Sequence, residues 1–143
     1  MSSTVDANIL VYASNEADIV HQQARLLVEG LAAGPELVYL FWPTLTGYLR
    51  IVTHPGILPR PLSPALAMRN IDQLLARPHV RISGEIDGFW TLYRETAGEH
   101  ARGQDVPDAH LAALMRQHDV RRIYTRDRGF RRFEGIEVVD PFA

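Results

Sequence analysis

STVDANILVY, residues 3–12, is the stretch of sequence that decides the fold. Thr4 and Val5 are β-branched and predict a short buried strand that ends near Asp6. The apolar residues 9–12 follow a polar break, and we expect them to form a helical turn through Ala13. A strand that leads directly into a helix is typical of α/β proteins.

The rest of the chain repeats this alternation of strands and helices. Apolar runs predict further strands at 37–41, 80–82, 122–125 and 136–139. Helical periodicity and caps predict helices over 18–33, 43–53, 64–76, 87–100 and 105–118, with a helical turn over 128–133. No β-hairpin motif appears, so we expect an α/β sandwich around a mostly parallel sheet. No linker or repeat divides the chain, and residues 1–143 are expected to form a single domain.

Composition excludes several classes of site. Cysteine is absent, which removes disulfides, thiolate metal sites and cysteine nucleophiles. Lysine is also absent, so all 15 basic residues are arginine, and a P-loop or a Schiff base is excluded. No apolar run approaches the ~18 residues of a membrane span. The N-terminus lacks the positive region of a secretory signal, so a cytoplasmic location is expected.

Three aspartates form the main candidate site. Asp6 and Asp127 follow predicted strands, and ligands of parallel α/β sheets bind beyond the carboxyl ends of strands. Asp108 lies in the first turn of a predicted helix, which begins after a loop and is therefore placed less firmly. Carboxylates that gather at one edge repel each other, and a divalent cation that prefers oxygen ligands relieves this repulsion. The three aspartates thus predict a metal site of the kind that hydrolyses phosphate esters.

Each of these acids also has a purely structural interpretation. Asp6 could cap the turn after the first strand, and Asp127 could cap the short helix that contains Phe130. Asp108 could complement the dipole of its helix, and Asp105 is expected to be an N-cap more often than a ligand. The histidines lack the spacing of metal ligands.

An arginine cluster lies close to the last of these acids. It is expected to form either a solvated surface or a phosphate-binding surface beside the site. Its members are Arg121, Arg122, Arg126, Arg128, Arg131 and Arg132.

Three motifs, taken in order, resemble PIN domains. TVDANIL (4–10) is similar to their opening strand, GQDVPDAHLAAL (103–114) to their central acidic helix, and YTRDRGF (124–130) to their T-x-D-x-x-F segment. The segment 42–55, which ends LRIVTHP, is similar to the VapC toxins of VapBC toxin–antitoxin pairs within that family. The resemblance spans essentially the whole chain. It implies a three-layer α/β/α sandwich with a mostly parallel sheet of four or five strands.

The resemblance also implies a function. It implies a toxin that is an endoribonuclease, uses Mg²⁺ or Mn²⁺ to activate water, cleaves structured RNA such as tRNA or rRNA, forms a homodimer and is inhibited by a VapB antitoxin. By position, the metal ligands would be Asp6, Asp108 and Asp127. The auxiliary polar residues would be Asn8, Thr125 and Asp105, and the RNA-binding residues would be Arg50, Arg102, Arg126 and Arg128.

One departure from the family leaves alternatives open. The family usually carries a glutamate on the helix after the second strand, and this position is occupied here by Gly47. Water could fill the gap, Asp105 could substitute, or activity could be reduced. A catalytically weakened PIN domain that binds RNA or an antitoxin is therefore a second hypothesis. A metal phosphohydrolase that acts on small phosphates is a third.

Overall fold

The computed structural model describes all 143 residues. Five strands alternate with six α-helices and one 3₁₀-helix. The strands are β1 (Ser3–Val5), β2 (Val38–Phe41), β3 (Val80–Ser83), β4 (Arg122–Tyr124) and β5 (Glu137–Val139). The helices are α1 (Ala7–Ser14), α2 (His21–Ala33), α3 (Trp42–Val52), α4 (Pro64–Leu75), α5 (Phe89–Ala97), α6 (Asp105–Gln117) and the 3₁₀-helix (Arg128–Arg132).

The five strands form one parallel sheet in the order β3-β2-β1-β4-β5. β1 lies at its centre, where Thr4 pairs with Tyr39 on one side and with Ile123 on the other. Because all the strands are parallel, their carboxyl ends meet at one edge of the sheet. The prediction of an α/β fold with a mostly parallel sheet is confirmed, and the sheet is in fact wholly parallel.

Two apolar cores lie on opposite faces of the sheet. Alternate residues of β2 point to each: Val38 and Leu40 belong to the core beneath α1–α4, and Phe41 belongs to the core beneath α6. Such alternation is the normal geometry of a strand that is covered on both faces. The result is the expected three-layer sandwich.

Two helices differ from the predicted boundaries. The helix expected over 18–33 begins only at His21, because the Asp18 carboxylate accepts a hydrogen bond from the Val20 backbone N–H in a preceding turn. The helix expected over 87–100 ends at Ala97, since Gly98 adopts φ +70°, a left-handed backbone that favours glycine. None of the helices combines the length and apolar character needed to cross a bilayer.

Candidate active site

Asp6 is the first residue after the central strand. Its backbone N–H donates to the Tyr124 carbonyl at 3.0 Å, so the β1–β4 pairing extends to the edge of the sheet. Asp6 occupies the N-cap position of α1, but its side chain forms no capping hydrogen bond. Instead, its Oδ2 accepts a hydrogen bond of 2.9 Å from the Thr125 hydroxyl. The carboxylate is therefore directed toward β4.

Thr125 connects the two strand ends that carry the acids. Its side chain is buried, and Oγ1 both donates to Asp6 and accepts from the Asp127 backbone N–H at 2.9 Å. Asp127 Oδ1 accepts from the Gly129 N–H at 2.8 Å and so caps the 3₁₀-helix, as its structural interpretation predicted. The cap does not remove Asp127 from the cluster, since its charge still acts on the other two aspartates.

Asp108 brings a third carboxylate to this edge from the first turn of α6. Its side chain is only 13 % exposed. Burial, together with the charges of Asp127 and Asp6, raises the pKa of Asp108 to about 6, although Arg132 opposes this shift. Burial also raises the pKa of Asp6, the Thr125 hydrogen bond lowers it, and the Asp127 charge raises it further. The charge of Asp127 thus acts on both Asp6 and Asp108, and the charge of Asp6 acts on Asp108.

The oxygen atoms of these three aspartates are chemically suited to bind a hard divalent cation. All of them are carboxylate oxygens, and the raised pKa values of Asp6 and Asp108 show that their negative charge is incompletely compensated. The side chains are not, however, closed into a ligand set: no three His, Asp or Glu residues are close enough to hold an ion as they stand. Asp6, Asp108 and Asp127 therefore approach one edge of the sheet without a preformed coordination shell, and the metal site stays a prediction.

Two of the auxiliary residues lie at the margin of this cluster. Asp105 is the first residue of α6, and Gln104 takes the N-cap position, so the expectation that Asp105 is an N-cap is wrong. Asp105 Oδ1 instead lies 3.5 Å from the Arg132 guanidinium. Asn8 is exposed in the first turn of α1.

The arginines of the cluster make different contacts in the structure. Arg121 pairs with Asp119 at 3.4 Å, and Arg122 pairs with Glu137 at 3.0 Å, so neither faces the acids as a free cation. Arg126 places its guanidinium over the rings of Tyr12 and Phe142, 5.6 and 5.7 Å from their centroids. Arg128 and Arg131 of the cluster, and Arg50 and Arg102 outside it, are exposed and form no ion pair.

Arg132 is the residue at this site whose role the sequence did not reveal. Its Nη2 atom lies 3.4 Å from Asp108 Oδ2 and 3.5 Å from Asp105 Oδ1. In the sequence it was one of six clustered arginines, and nothing in the pattern distinguished it from Arg131. Only the turn of the 3₁₀-helix directs Arg132 toward α6.

Gly47 lies beside the cluster, in α3. A Cβ atom built on it would be 3.5 Å from the Ala7 Cβ, an ordinary van der Waals contact. Ala7 directly follows Asp6, so position 47 is next to the strand end that carries this acid. A side chain at position 47 would therefore meet no steric barrier at its Cβ, and the assignment of the family glutamate to this position stays a prediction.

Comparison with known proteins agrees with this geometry. The family model described as "PIN domain" matches residues 4–136. Ribonuclease VapC48 of Mycobacterium tuberculosis is 53 % identical, and the match covers 100 % of this chain and 99 % of the relative.

Two solved structures have the same fold at low sequence identity. M. tuberculosis VapC20, described as a sarcin-ricin-loop-cleaving toxin, has a TM-score of 0.68 at 18 % identity, covering 94 % of this chain and 98 % of that one. VapBC2 of Rickettsia felis, bound to promoter DNA, has a TM-score of 0.69 at 17 % identity, covering 97 % and 98 %. The fold, the family match and the full-length similarity to a named ribonuclease agree, and the chain belongs to the VapC ribonucleases of the PIN-domain family.

Proposed function

We propose that this chain is the toxin of a type II toxin–antitoxin pair and cleaves structured RNA with the help of Mg²⁺ or Mn²⁺ held by Asp6, Asp108 and Asp127. The observation that carries the proposal is that the buried Thr125 hydroxyl hydrogen-bonds both the Asp6 carboxylate and the Asp127 backbone N–H, while Asp108 reaches the same edge of the sheet from α6, where the charges of Asp127 and Asp6 help to raise its pKa. Asp6 and Asp108 are partly buried and Asp127 is exposed beside them, and partly buried carboxylates with raised pKa values are unfavourable for folding, so their presence favours a function that requires them.

The residues around the site have distinct roles in this proposal. Thr125 positions Asp6 through its hydroxyl and fixes the chain at Asp127 through its oxygen. A divalent cation supplies water activation and stabilises the charge that develops on the phosphodiester. Asn8, exposed one turn from Asp6, is available to orient water or a carboxylate.

RNA would reach the acids along the exposed arginines. Planar guanidinium groups suit phosphate oxygens, and arginines without carboxylate partners are available for them. Arg128 and Arg102 lie in the segments that carry Asp127 and Asp108, and Arg50 ends the helix that contains Gly47. Arg126 is also a candidate, although its contacts with the rings of Tyr12 and Phe142 make it the least free of the four.

The partner of this chain would be a small VapB-type antitoxin. The neighbour from Rickettsia felis was solved as a VapBC2 assembly with promoter DNA, which supports such a pairing here. We also propose a homodimer of single-domain subunits that acts in the cytoplasm, where the RNA substrate is found.

Metal removal tests the proposal directly. Treatment with EDTA is expected to abolish cleavage of RNA by the purified chain, and added Mn²⁺ is expected to restore it, because the acids alone neither neutralise phosphate nor activate water at neutral pH. Cleavage would be followed on gels and by sequencing of the RNA ends. Activity that persists at full rate in EDTA would refute the metal-dependent function.

A second candidate function rests on Gly47. Without an acid at this position the chain could be a weakened nuclease that serves mainly to bind RNA or an antitoxin. Calorimetric titration separates the two functions. A failure to bind Mn²⁺ at millimolar concentration, with RNA or antitoxin binding retained, favours the binding module.

Restoring the acid is expected to strengthen metal binding. Gly47→Glu should tighten Mn²⁺ binding by about tenfold, because cation affinity rises with the number of charged ligands. Gly47→Gln is the matched control, since it has the same size and gains the same helix propensity without the charge. Calorimetry would compare both variants with the parent chain. Equal Mn²⁺ affinity for the two variants would show that position 47 does not contribute to the metal site.

A further inference from the structure

Arg132 is held in place by contacts on several sides. Its guanidinium lies over the Phe133 ring at 4.4 Å from the centroid, and its Nη1 donates to the Gly129 carbonyl. Its Nη2 lies 3.4 Å from Asp108 and 3.5 Å from Asp105. The guanidinium is therefore a fixed cation at the side of the acidic cluster.

Gly129 makes this arrangement possible. A Cβ atom at this position would lie 2.8 Å from Arg132 Nη1 and 2.9 Å from Asp127 Oδ1, distances that real Cβ contacts essentially never show. A larger residue at this position would require the Arg132 or the Asp127 side chain to shift away from the turn. The 3₁₀-helix thus carries an acid of the cluster at one end and its counter-charge at the other.

The position of Arg132 has a consequence for cation binding. A divalent ion that uses Asp108 either takes Oδ2, which already interacts with the guanidinium, or binds Oδ1 of the same carboxylate, and in both cases it approaches a positive charge that proteins do not deprotonate. Arg132 also bridges the carboxylates of Asp108 and Asp105, which both lie in the first turn of α6. Both effects oppose closure of the three aspartates around an ion.

We propose that Arg132 is an internal counter-ion that competes with divalent metal for Asp108 and Asp105 and so keeps the metal affinity of this site low. The inference rests on the proposed metal site. It makes Arg132 a positioning residue, because a bound ion competes with the guanidinium for the negative charge of Asp108. It also accounts for an acidic cluster that is electrostatically coupled but not closed into a ligand set.

The test is Mn²⁺ binding to the full-length chain without RNA, measured by the loss of the free Mn²⁺ electron paramagnetic resonance signal. Arg132→Gln is expected to bind Mn²⁺ about tenfold more tightly than the parent, a change of about 1.4 kcal/mol. Arg132→Lys, which keeps the charge but loses the planar fork, should lie between them. Arg131→Gln is the matched control, because Arg131 is exposed and unpaired and its loss changes the net charge equally.

The outcomes separate this inference from the proposed function. Equal affinities for Arg132→Gln and Arg131→Gln, or weaker binding by Arg132→Gln, would overturn the competition while leaving the metal site intact. No Mn²⁺ binding by any variant would overturn both. Near-ultraviolet circular dichroism checks folding, and if Arg132→Gln fails to fold, the lysine variant decides: affinity equal to that of the parent overturns the competition.

Discussion

Asp6→Asn is expected to lower RNA cleavage in Mn²⁺ by at least about a hundredfold, since metal-ion stabilisation of a phosphoryl transition state is worth several kcal/mol. Asparagine keeps the shape of the side chain but removes the charge that would hold the cation. Thr125 positions the carboxylate of Asp6 through a hydrogen bond. No neighbouring acid accepts this hydrogen bond, so none is held in the position from which it could replace Asp6.

The loss of cleavage by Asp6→Asn should not come from misfolding. Burial raises the pKa of Asp6, which means that the folded protein disfavours its charged form. The neutral variant should therefore melt at the same temperature as the parent or higher in EDTA. Asp72→Asn, an exposed site on α4, is the control with the same chemical change. Undiminished cleavage by a folded Asp6→Asn protein would reject the assignment of the site.

Asp108→Asn is expected to abolish cleavage and, without metal, to raise the stability of the fold at pH 7.5. The pKa of Asp108 is raised to about 6, first by burial and then by the Asp127 and Asp6 charges. After allowance for solvent screening, the stabilisation should be about 1–2 kcal/mol. Calorimetric melting in EDTA measures this gain, again with Asp72→Asn as the control.

The pH dependence of this gain has a definite sign. An acid whose pKa is higher in the folded state stabilises the fold fully below its unfolded value, and this contribution is lost as pH rises through its folded pKa. The parent and Asp108→Asn should therefore have equal free energies of unfolding near pH 4. As the pH rises from 4 to 6, the parent should become the less stable of the two. Saturating Mn²⁺ should reverse the order at pH 7.5, because only the parent binds it well. A stability difference independent of pH would contradict this account.

The elements of the fold could be predicted from local patterns. β1 and the helix after it follow from the residues around Asp6, and Ser63 caps α4 through its hydroxyl at the boundary that the sequence predicted. The errors occurred at helix ends: the turn around Asp18 and the stop at Gly98 depend on single hydrogen bonds and dihedral angles. The helical periodicity of a sequence contains little information about such details, so it does not predict the exact ends of helices.

Only part of the candidate site could be predicted from local patterns in the sequence. Asp6 and Asp127 could be assigned to one edge because parallel strands end together, whatever the packing of the helices. The approach of Asp108 could not be derived in this way, since α6 follows a loop whose path is set by packing. The start of its helix placed Asp108 near this edge less firmly than the strand ends placed the other two acids, and the resemblance to PIN domains supported the choice; in the structure the charges of Asp127 and Asp6 act on Asp108.

The sequence by itself determined the order of strands and helices, the parallel sheet and two acids at its edge, because periodicity and strand ends are local properties of the chain. Only the tertiary structure decided which arginine meets which acid. It paired Arg121 and Arg122 with carboxylates outside the acidic cluster, and it directed Arg132 to Asp105 and Asp108. The physical reason is that an ion pair requires side chains to come within about 4 Å, and residues distant in sequence reach that separation only when helices pack.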